Sequence, residues 1–158
     1  MPAVRAPLTA LIVMLGACSG TIRAPEVRVV DAFATTGAEA AAAYLVLDNT
    51  GGEDELVAVE LRGTDAGLAR TVSMHTTTDR DGISVMERAD TIEVRADGRT
   101  ELAPGGTHLM LEGLRRPIEP GQRLQIRLLL ARGGPLDAEV EVIAVEDALD
   151  RAERRTAR

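Results

Sequence analysis

The sequence predicts an all-β domain, arranged as an antiparallel sandwich or small barrel of many short strands. Two observations support this prediction. Apolar and polar residues alternate over several stretches, and turn-forming Gly, Pro, Asn and Asp residues separate these stretches at regular intervals. The alternation is clearest where Leu124, Ile126 and Leu128 interleave with Gln125 and Arg127. The chain has 158 residues, which is enough for one such domain and too few for two.

The first 17 residues have the features of a secretory signal peptide. One positive charge, Arg5, precedes an apolar run over 8–15, and small residues follow it. The run is too short to cross a bilayer as a permanent helix. We therefore expect residues 1–17 to be removed from the mature protein.

The residues that follow resemble the lipobox of bacterial lipoproteins, in which a cysteine becomes the acylated first residue. Residues 15–18 have the order Leu-Gly-Ala-Cys, and Cys18 is the only cysteine of the chain. The alternative is an ordinary signal peptide cleaved nearby, with Cys18 incidental. We predict lipidation at Cys18, a tether over 18–26, and an exported lipoprotein anchored in the periplasm or at the cell surface.

The β-domain is expected to span residues 27–145. Asp81-Gly82 and Pro120-Gly121 are two of the turn signals that divide it. The predicted strands are Tyr44–Leu47, Leu56–Leu61, Leu68–His75, Ile83–Glu87, Ile92–Val94, Thr107–Leu111, Leu124–Leu130 and Val140–Val142.

Two segments outside these strands are less regular. The alanine-rich segment 38–43 is compatible with a helical turn, which the pattern leaves open. Residues 146–158 form a charged tail with one short helix-like stretch, and we expect this tail to be solvated or frayed.

Composition argues against several classes of function. The formal net charge is −7 and the chain has no lysine, no Trp and single Tyr and Phe residues, which is unlike a nucleic-acid-binding protein. One cysteine allows no disulfide within the chain. There is no glycine-rich phosphate loop, and a chain with only two histidines offers little for a Ser/His/Asp constellation. We therefore predict a non-enzymatic domain, which we expect to be a monomer.

The histidines and methionines are clustered. Beyond the signal peptide the chain has two histidines and three methionines, and all five lie between Met74 and Met110. His108 and Met110 are two residues apart in a predicted strand, so their side chains project from one face. His75 ends one predicted strand and Met86 lies in the next, so that a hairpin would bring them together.

Donor type indicates which ion such a cluster would hold. Thioether sulfur is soft and uncharged and suits Cu(I), whereas zinc sites use thiolate, imidazole and carboxylate. Methionine also tolerates an oxidising compartment in which free thiols form disulfides. Four protein donors leave no open position for water, which fits carriage of the ion better than catalysis. The sequence thus predicts a Cu(I) site at His75, Met86, His108 and Met110.

Packing is the alternative explanation of these residues. A single methionine on a strand more often fills a core than binds a metal, and a single histidine is more often hydrogen-bonded or exposed. If all four residues only pack, the domain is a metal-free β-sandwich lipoprotein with a role in adhesion or assembly.

The spacing of these four residues is similar to the ligand pattern of the periplasmic copper chaperone family, PCuAC. That pattern is His75, ten residues, Met86, twenty-one residues, then His108-x-Met110. Segments 42–52 and 102–114 and the turn 119–121 also resemble that family, so the likeness covers roughly residues 27–145. The sequence departs from the family at Phe33, where a tryptophan is expected, and at Thr35, where an arginine is expected. Other departures are Thr77, Ser84 and Glu112, at positions where many members carry methionines.

The resemblance implies a cupredoxin-like Greek-key fold and delivery of Cu(I) during cytochrome oxidase assembly. The implied protein acceptor is the copper subunit of the oxidase or a Sco-type thiol protein. The family's four ligands carry over onto His75, Met86, His108 and Met110. Some members bind Cu(II) through a Met/His-rich C-terminal extension, and the corresponding segment of this chain lacks such residues.

Overall fold

The computed structural model describes residues 23–156, so the predicted signal peptide and Cys18 lie outside the described residues. The described part contains ten strands, one α-helix and a short 3-10 helix at Gly63–Asp65. Their bounds are β1 Val27–Thr35, β2 Ala40–Asn49, β3 Asp54–Leu61, β4 Thr71–Arg80, β5 Ile83–Ala89, β6 Ile92–Val94, β7 Gly98–Leu102, β8 Thr107–Glu112, β9 Arg123–Leu130, β10 Gly134–Ile143 and α1 Asp147–Thr156.

All ten strands belong to one sheet. Nine of them follow the order β5-β4-β8-β2-β1-β10-β9-β3-β6, and β7 pairs with the second half of β2. The sheet folds back on itself, because β3 and β4 contact each other although they are far apart in this order. The prediction of an all-β domain is confirmed. The sheet is mixed rather than wholly antiparallel, since β1 pairs in parallel with β10 at Phe33–Thr35, a long-range pairing that alternation cannot reveal.

The inner face of the folded sheet forms the core. Leucine, valine and isoleucine alternate with exposed polar residues, and Leu47, Leu56, Leu102, Leu128 and Val142 are fully buried. Burial of these side chains supplies the main driving force for folding, about 1.5–3 kcal/mol for each. The alanine-rich segment is part of strand β2 from Ala40 onward, not a helical turn. Ala41 and Ala43 are buried in the core, so packing overrides the helical preference of alanine.

The hairpin of β4 and β5 is longer than predicted. Strand β4 begins at Thr71, three residues after the predicted start, and continues to Arg80. The added residues are polar and pair with β5 in an exposed ladder, where no apolar alternation is needed. Asp81 and Gly82 form the two-residue turn, with φ of 57° and 80°, the left-handed values such hairpin turns require.

The short charged C-terminal helix is confirmed over Asp147–Thr156, but it packs on the sheet, so the expectation that it is solvated or frayed is wrong. Arg151 donates hydrogen bonds to Glu141 at 2.6 Å and to Asp31 at 2.8 Å. Arg155, whose side chain is 8% exposed, also pairs with Asp31. Both guanidinium groups lie about 5 Å from the ring centroid of Phe33, which is fully buried. The helix thus covers the ring of Phe33 with two guanidinium groups. A search for an apolar stripe does not detect such packing, because the contacting side chains are charged.

The buried carboxylate of Asp54 joins the start of β3 to the turn between β9 and β10. Its two oxygens accept hydrogen bonds from the backbone N–H groups of Glu55 at 2.8 Å, Arg132 at 2.9 Å and Gly133 at 2.8 Å. Asp54 is 3% exposed, so its removal would leave these donors without a partner in a site that water reaches poorly.

Replacing Asp54 by Ala should therefore lower the free energy of unfolding by about 2–4 kcal/mol. The neighbouring Glu55 is exposed, and Glu55→Ala serves as the control, with an expected change within about 0.5 kcal/mol. Urea denaturation followed by circular dichroism measures both variants. Equal stability of the two variants would show that the carboxylate of Asp54 does not hold this turn.

Candidate metal centre

The two histidines are direct neighbours across strands β4 and β8. His75 is paired with His108, and their rings lie 5.9 Å apart between centroids with an angle of 22° between the ring planes. His108 is buried, at 5% exposure, and His75 is partly buried. The side chains of directly paired residues project from the same face of a sheet, so both imidazoles lie on the outer face, opposite the core.

The two methionines lie on the same outer face, on either side of the histidine pair. Met110 is opposite Ser73, and this pair lies two residues along the strands from the pair of His75 and His108. Met86 on β5 is opposite Thr77, which lies two residues from His75 in the other direction. Met86 is 53% exposed and Met110 is partly buried. The register thus brings together on one face all four residues that the sequence singles out.

Met74, the remaining methionine of the described part, has a different position. It lies between Ser73 and His75 on β4 and therefore points to the opposite face. Its side chain is 7% exposed and belongs to the hydrophobic core. Met74 therefore packs in the core.

The hydrogen bonds of His108 determine which of its nitrogens is free. Its Nδ1 lies 2.9 Å from the carbonyl oxygen of Gly106, and since a carbonyl only accepts, Nδ1 carries the proton and donates. The lone pair of the neutral ring is then on Nε2. Tyr44 packs beside this ring at 6.2 Å between centroids, and Phe33 packs against Tyr44 at 5.2 Å. His108 is thus held by a hydrogen bond and by a row of aromatic rings.

His75 has the opposite arrangement. Its Nε2 lies 2.9 Å from the hydroxyl oxygen of Ser73, and that hydroxyl donates to Oε2 of Glu112 at 2.6 Å. The hydroxyl has only one hydrogen, so Nε2 carries the proton and donates to it. Nδ1 of His75 then bears the lone pair, is buried, and has no hydrogen-bond partner among residues 23–156. A buried acceptor without a partner is rare, and a bound metal ion would satisfy it.

The arrangement therefore offers two imidazole lone pairs and two thioether sulfurs on one face. All four donors are uncharged, and thioethers bind soft monovalent ions better than hard dications. Within residues 23–156 no group of three or more His, Cys, Asp or Glu side chains is placed to hold a metal ion.

Sequence reasoning missed Ser73, Glu112 and Tyr44. Ser73 precedes His75 by two residues and Glu112 follows Met110 by two, so strand periodicity places them on the face of the predicted ligands. That spacing is a signal that could have identified Ser73 and Glu112. The contact of Tyr44 with His108 depends on the pairing of β2 with β8, which the sequence does not reveal.

Comparison with known proteins gives the family of the chain. Residues 21–142 match the family model described as putative lipoprotein LpqE-like. This chain belongs to the LpqE-like family. It is similar to the putative lipoprotein Lxx21020 of Leifsonia xyli subsp. xyli (strain CTCB07), at 31% identity over 107 residues, which is 67% of this chain and 62% of that protein. The chain thus spans less than two thirds of that relative. Within the described residues, no helix is long and apolar enough to cross a membrane.

Solved structures relate the fold of this LpqE-like protein to PCuAC domains. The copper-bound PCuAC domain from PmoF2 is 20% identical to this chain, with a TM-score of 0.60. The match covers 75% of this chain and 92% of the PmoF2 domain. CuI-DR1885 from Deinococcus radiodurans, known from its solution structure, is 28% identical to this chain, with a TM-score of 0.56. The match covers 74% of this chain and 79% of the DR1885 chain. The LpqE-like chain therefore has the PCuAC-type, cupredoxin-like fold.

The packing of Tyr44 beside His108 can be tested by titration. Burial raises the pKa of Tyr44 above 10.0, because the phenolate is disfavoured away from water. The folded state thus holds the phenolic proton more tightly than the unfolded state. The protonated phenol of Tyr44 therefore contributes to the free energy of unfolding. This contribution is fully present below about pH 10 and is lost as the pH rises through the pKa of Tyr44 in the folded state.

Tyr44 is the only tyrosine, so tyrosinate absorbance reports it alone. We expect a higher ionisation midpoint in the native protein than in urea, and no titration in Tyr44→Phe. Identical midpoints in both solvents would contradict the packed position of the ring.

Proposed function

We propose that this domain binds one Cu(I) ion through His75, Met86, His108 and Met110 and carries it outside the cytoplasm as a metallochaperone. The observation that supports this proposal best is the pair of stacked imidazoles, each with one nitrogen held by a hydrogen bond and the other free. The thioethers of Met86 and Met110 flank this pair on the same face. A site of neutral donors leaves the charge of the ion uncompensated, which costs less for a monovalent than for a divalent ion.

Exposure of the donors favours carriage over permanent storage. His108 is buried, whereas Met86 lies half exposed in a hairpin whose second strand, β5, pairs only with β4. An incoming ligand can therefore replace Met86 without disturbing the core. A thiolate is charged and binds Cu(I) more strongly than a thioether. An acceptor with thiolate ligands would therefore bind the ion more tightly than this domain and remove it from the domain. We propose cytochrome oxidase assembly as the destination, with a Sco-type thiol protein or the oxidase copper subunit as the acceptor.

The comparisons support the same proposal. Two of the structural neighbours, the PmoF2 domain and DR1885, were solved with bound copper, which is Cu(I) in DR1885. The family is named for lipoproteins. Together with Leu15–Cys18, this name supports an exported protein anchored through Cys18 in the periplasm or at the cell surface.

Metal competition tests the proposal directly. The domain should bind one equivalent of Cu(I), accept Ag(I) in its place, and prefer both over Zn(II), because two of the four donors are thioethers. Native mass spectrometry under reducing conditions measures occupancy with the metals in competition. Equal occupancy by zinc would contradict the soft-donor site, and absence of copper binding would favour a metal-free adhesion or assembly role.

Methionine-to-leucine variants separate ligation from packing. Leucine and methionine have similar volumes, so Met86→Leu and Met110→Leu should each cost less than about 1.5 kcal/mol of stability. Each variant removes one soft donor and should weaken Cu(I) binding about tenfold or more, or ~1.4 kcal/mol.

Met74→Leu is the matched control, because Met74 is adjacent to His75 but points into the core. Its Cu(I) affinity should match that of the wild type. If Met74→Leu weakened binding as much as Met86→Leu and Met110→Leu, their losses would be packing effects rather than lost ligands.

Replacement of Cys18 tests the anchor. Cys18→Ala should abolish lipidation and release the protein from membranes, while Cu(I) affinity stays unchanged because residues 18–26 separate the cysteine from the domain. Membrane fractionation in high salt, with acyl-chain detection by mass spectrometry, measures the outcome. A Cys18→Ala protein that still sediments with membranes would contradict the lipobox assignment.

A further inference from the structure

A buried hydroxyl and a carboxylate lie behind the ring of His75. Ser73 is 3% exposed, and its hydroxyl oxygen is 2.6 Å from Oε2 of Glu112 and 2.9 Å from Nε2 of His75. Residues 71, 73 and 75 of β4 pair with 112, 110 and 108 of β8, so Ser73 and Glu112 share the face of the proposed copper ligands. The three groups form a chain that we call the His75 relay: Glu112, Ser73, His75.

The carboxylate of Glu112 determines which group donates in each hydrogen bond of the relay. A carboxylate can only accept, so the single hydrogen of the Ser73 hydroxyl points to Glu112. The lone pairs of that hydroxyl are then available to His75, whose Nε2–H donates to it. This fixes the proton on Nε2 and the free lone pair on Nδ1, the atom that is buried without a partner in the described residues.

We propose that Ser73 and Glu112 are positioning residues for copper, which lock His75 in the Nε2–H tautomer and aim Nδ1 at the ion. This inference rests on the proposed function and adds two residues that act through His75. Metal-binding histidines commonly donate their second nitrogen to such a partner, which fixes ring orientation and raises the basicity of the ligand. Gly106 does this for His108 through a backbone carbonyl, so the two imidazoles are held by different means and bind through different nitrogens.

The relay also has a role before the ion binds. Ser73 is opposite Met110 on β8 and two residues from His75 on β4. Its hydroxyl therefore has one proposed ligand across the strands and another along its own strand. Without the hydrogen bond, the ring of His75 could take the other tautomer or rotate, and either change would have to be reversed when copper binds. A pre-oriented ligand avoids that cost.

The test compares three variants with one control. Ser73→Ala breaks the relay but keeps the carboxylate, Glu112→Leu removes the carboxylate, and Glu112→Gln keeps an acceptor for the hydroxyl without the negative charge. Glu93→Ala is the control, since it removes one exposed strand carboxylate from β6, at the other end of the sheet. Circular dichroism confirms the fold of each variant, and partly exposed Glu112 allows the test even if Ser73→Ala does not fold.

The first measurement needs no copper. Long-range ¹H–¹⁵N correlation spectra of the metal-free protein in mildly alkaline buffer report which imidazole nitrogen carries the proton. Wild type, Glu112→Gln and Glu93→Ala should show His75 protonated on Nε2 and His108 on Nδ1. Ser73→Ala and Glu112→Leu should show His75 as a mixture of tautomers with His108 unchanged. A wild-type His75 protonated on Nδ1 would overturn the proposal, whether or not the domain binds copper.

The second measurement is Cu(I) affinity by competition with a chelator. Ser73→Ala and Glu112→Leu should bind about 10- to 100-fold more weakly, the range found for partners of metal ligands. Glu112→Gln should stay within about threefold of the wild type, because it preserves the hydrogen bond, and Glu93→Ala should match the wild type. Equal losses in Glu112→Gln and Glu112→Leu would assign the effect to charge and overturn the relay. If the wild type bound no copper, the proposed function would fail while the spectra still decided the tautomer.

Discussion

The pairing of strand β4 with strand β8 is the constraint on which the rest of the site depends. It places His75 opposite His108 on the outer face and, because side chains alternate, sends Met74, Leu109 and Leu111 into the core. A slip of β8 by one residue would turn His108 into the core and move Leu109 and Leu111 to the outer face. Burial of these apolar neighbours therefore specifies the register, and the register places the donors. The core stabilises the site although none of its side chains is a proposed ligand.

The site has a buried half and an exposed half. On the buried side, His108 contacts Tyr44, Tyr44 contacts Phe33, and Phe33 is covered by two guanidinium groups of the C-terminal helix. On the exposed side, Met86 lies in a hairpin whose second strand, β5, has only β4 as a neighbour. This asymmetry suits the proposed carrier role, since the buried donors would retain a bound ion while the exposed donor would make room for an acceptor. Arg151 and Arg155 thus cover the end of the aromatic row that lies farthest from His108.

The period-two alternation of the strands predicts much of this arrangement. Other parts of the structure leave no periodic pattern in the sequence and could not be predicted from it. Strand alternation placed the four donors on common faces of their strands, because a period of two follows from backbone geometry alone. The parallel pairing of β1 with β10 could not be predicted, since it joins distant segments and leaves no local pattern. The packing of helix α1 on the sheet was missed because the helix is held mainly by arginines rather than by an apolar stripe. The role of Asp54 was missed because it caps a turn that is 78 residues away in the chain.

X-ray absorption at the copper edge of the Cu(I)-loaded domain identifies the atoms that bind the ion. We expect a reduced copper ion with two sulfur and two nitrogen neighbours, and a single sulfur neighbour in Met86→Leu or in Met110→Leu. Both sulfur neighbours should persist in Met74→Leu. A copper ion surrounded only by nitrogen or oxygen, or one whose sulfur neighbours are unchanged in Met86→Leu and Met110→Leu, would contradict the assignment of these four residues as the copper ligands.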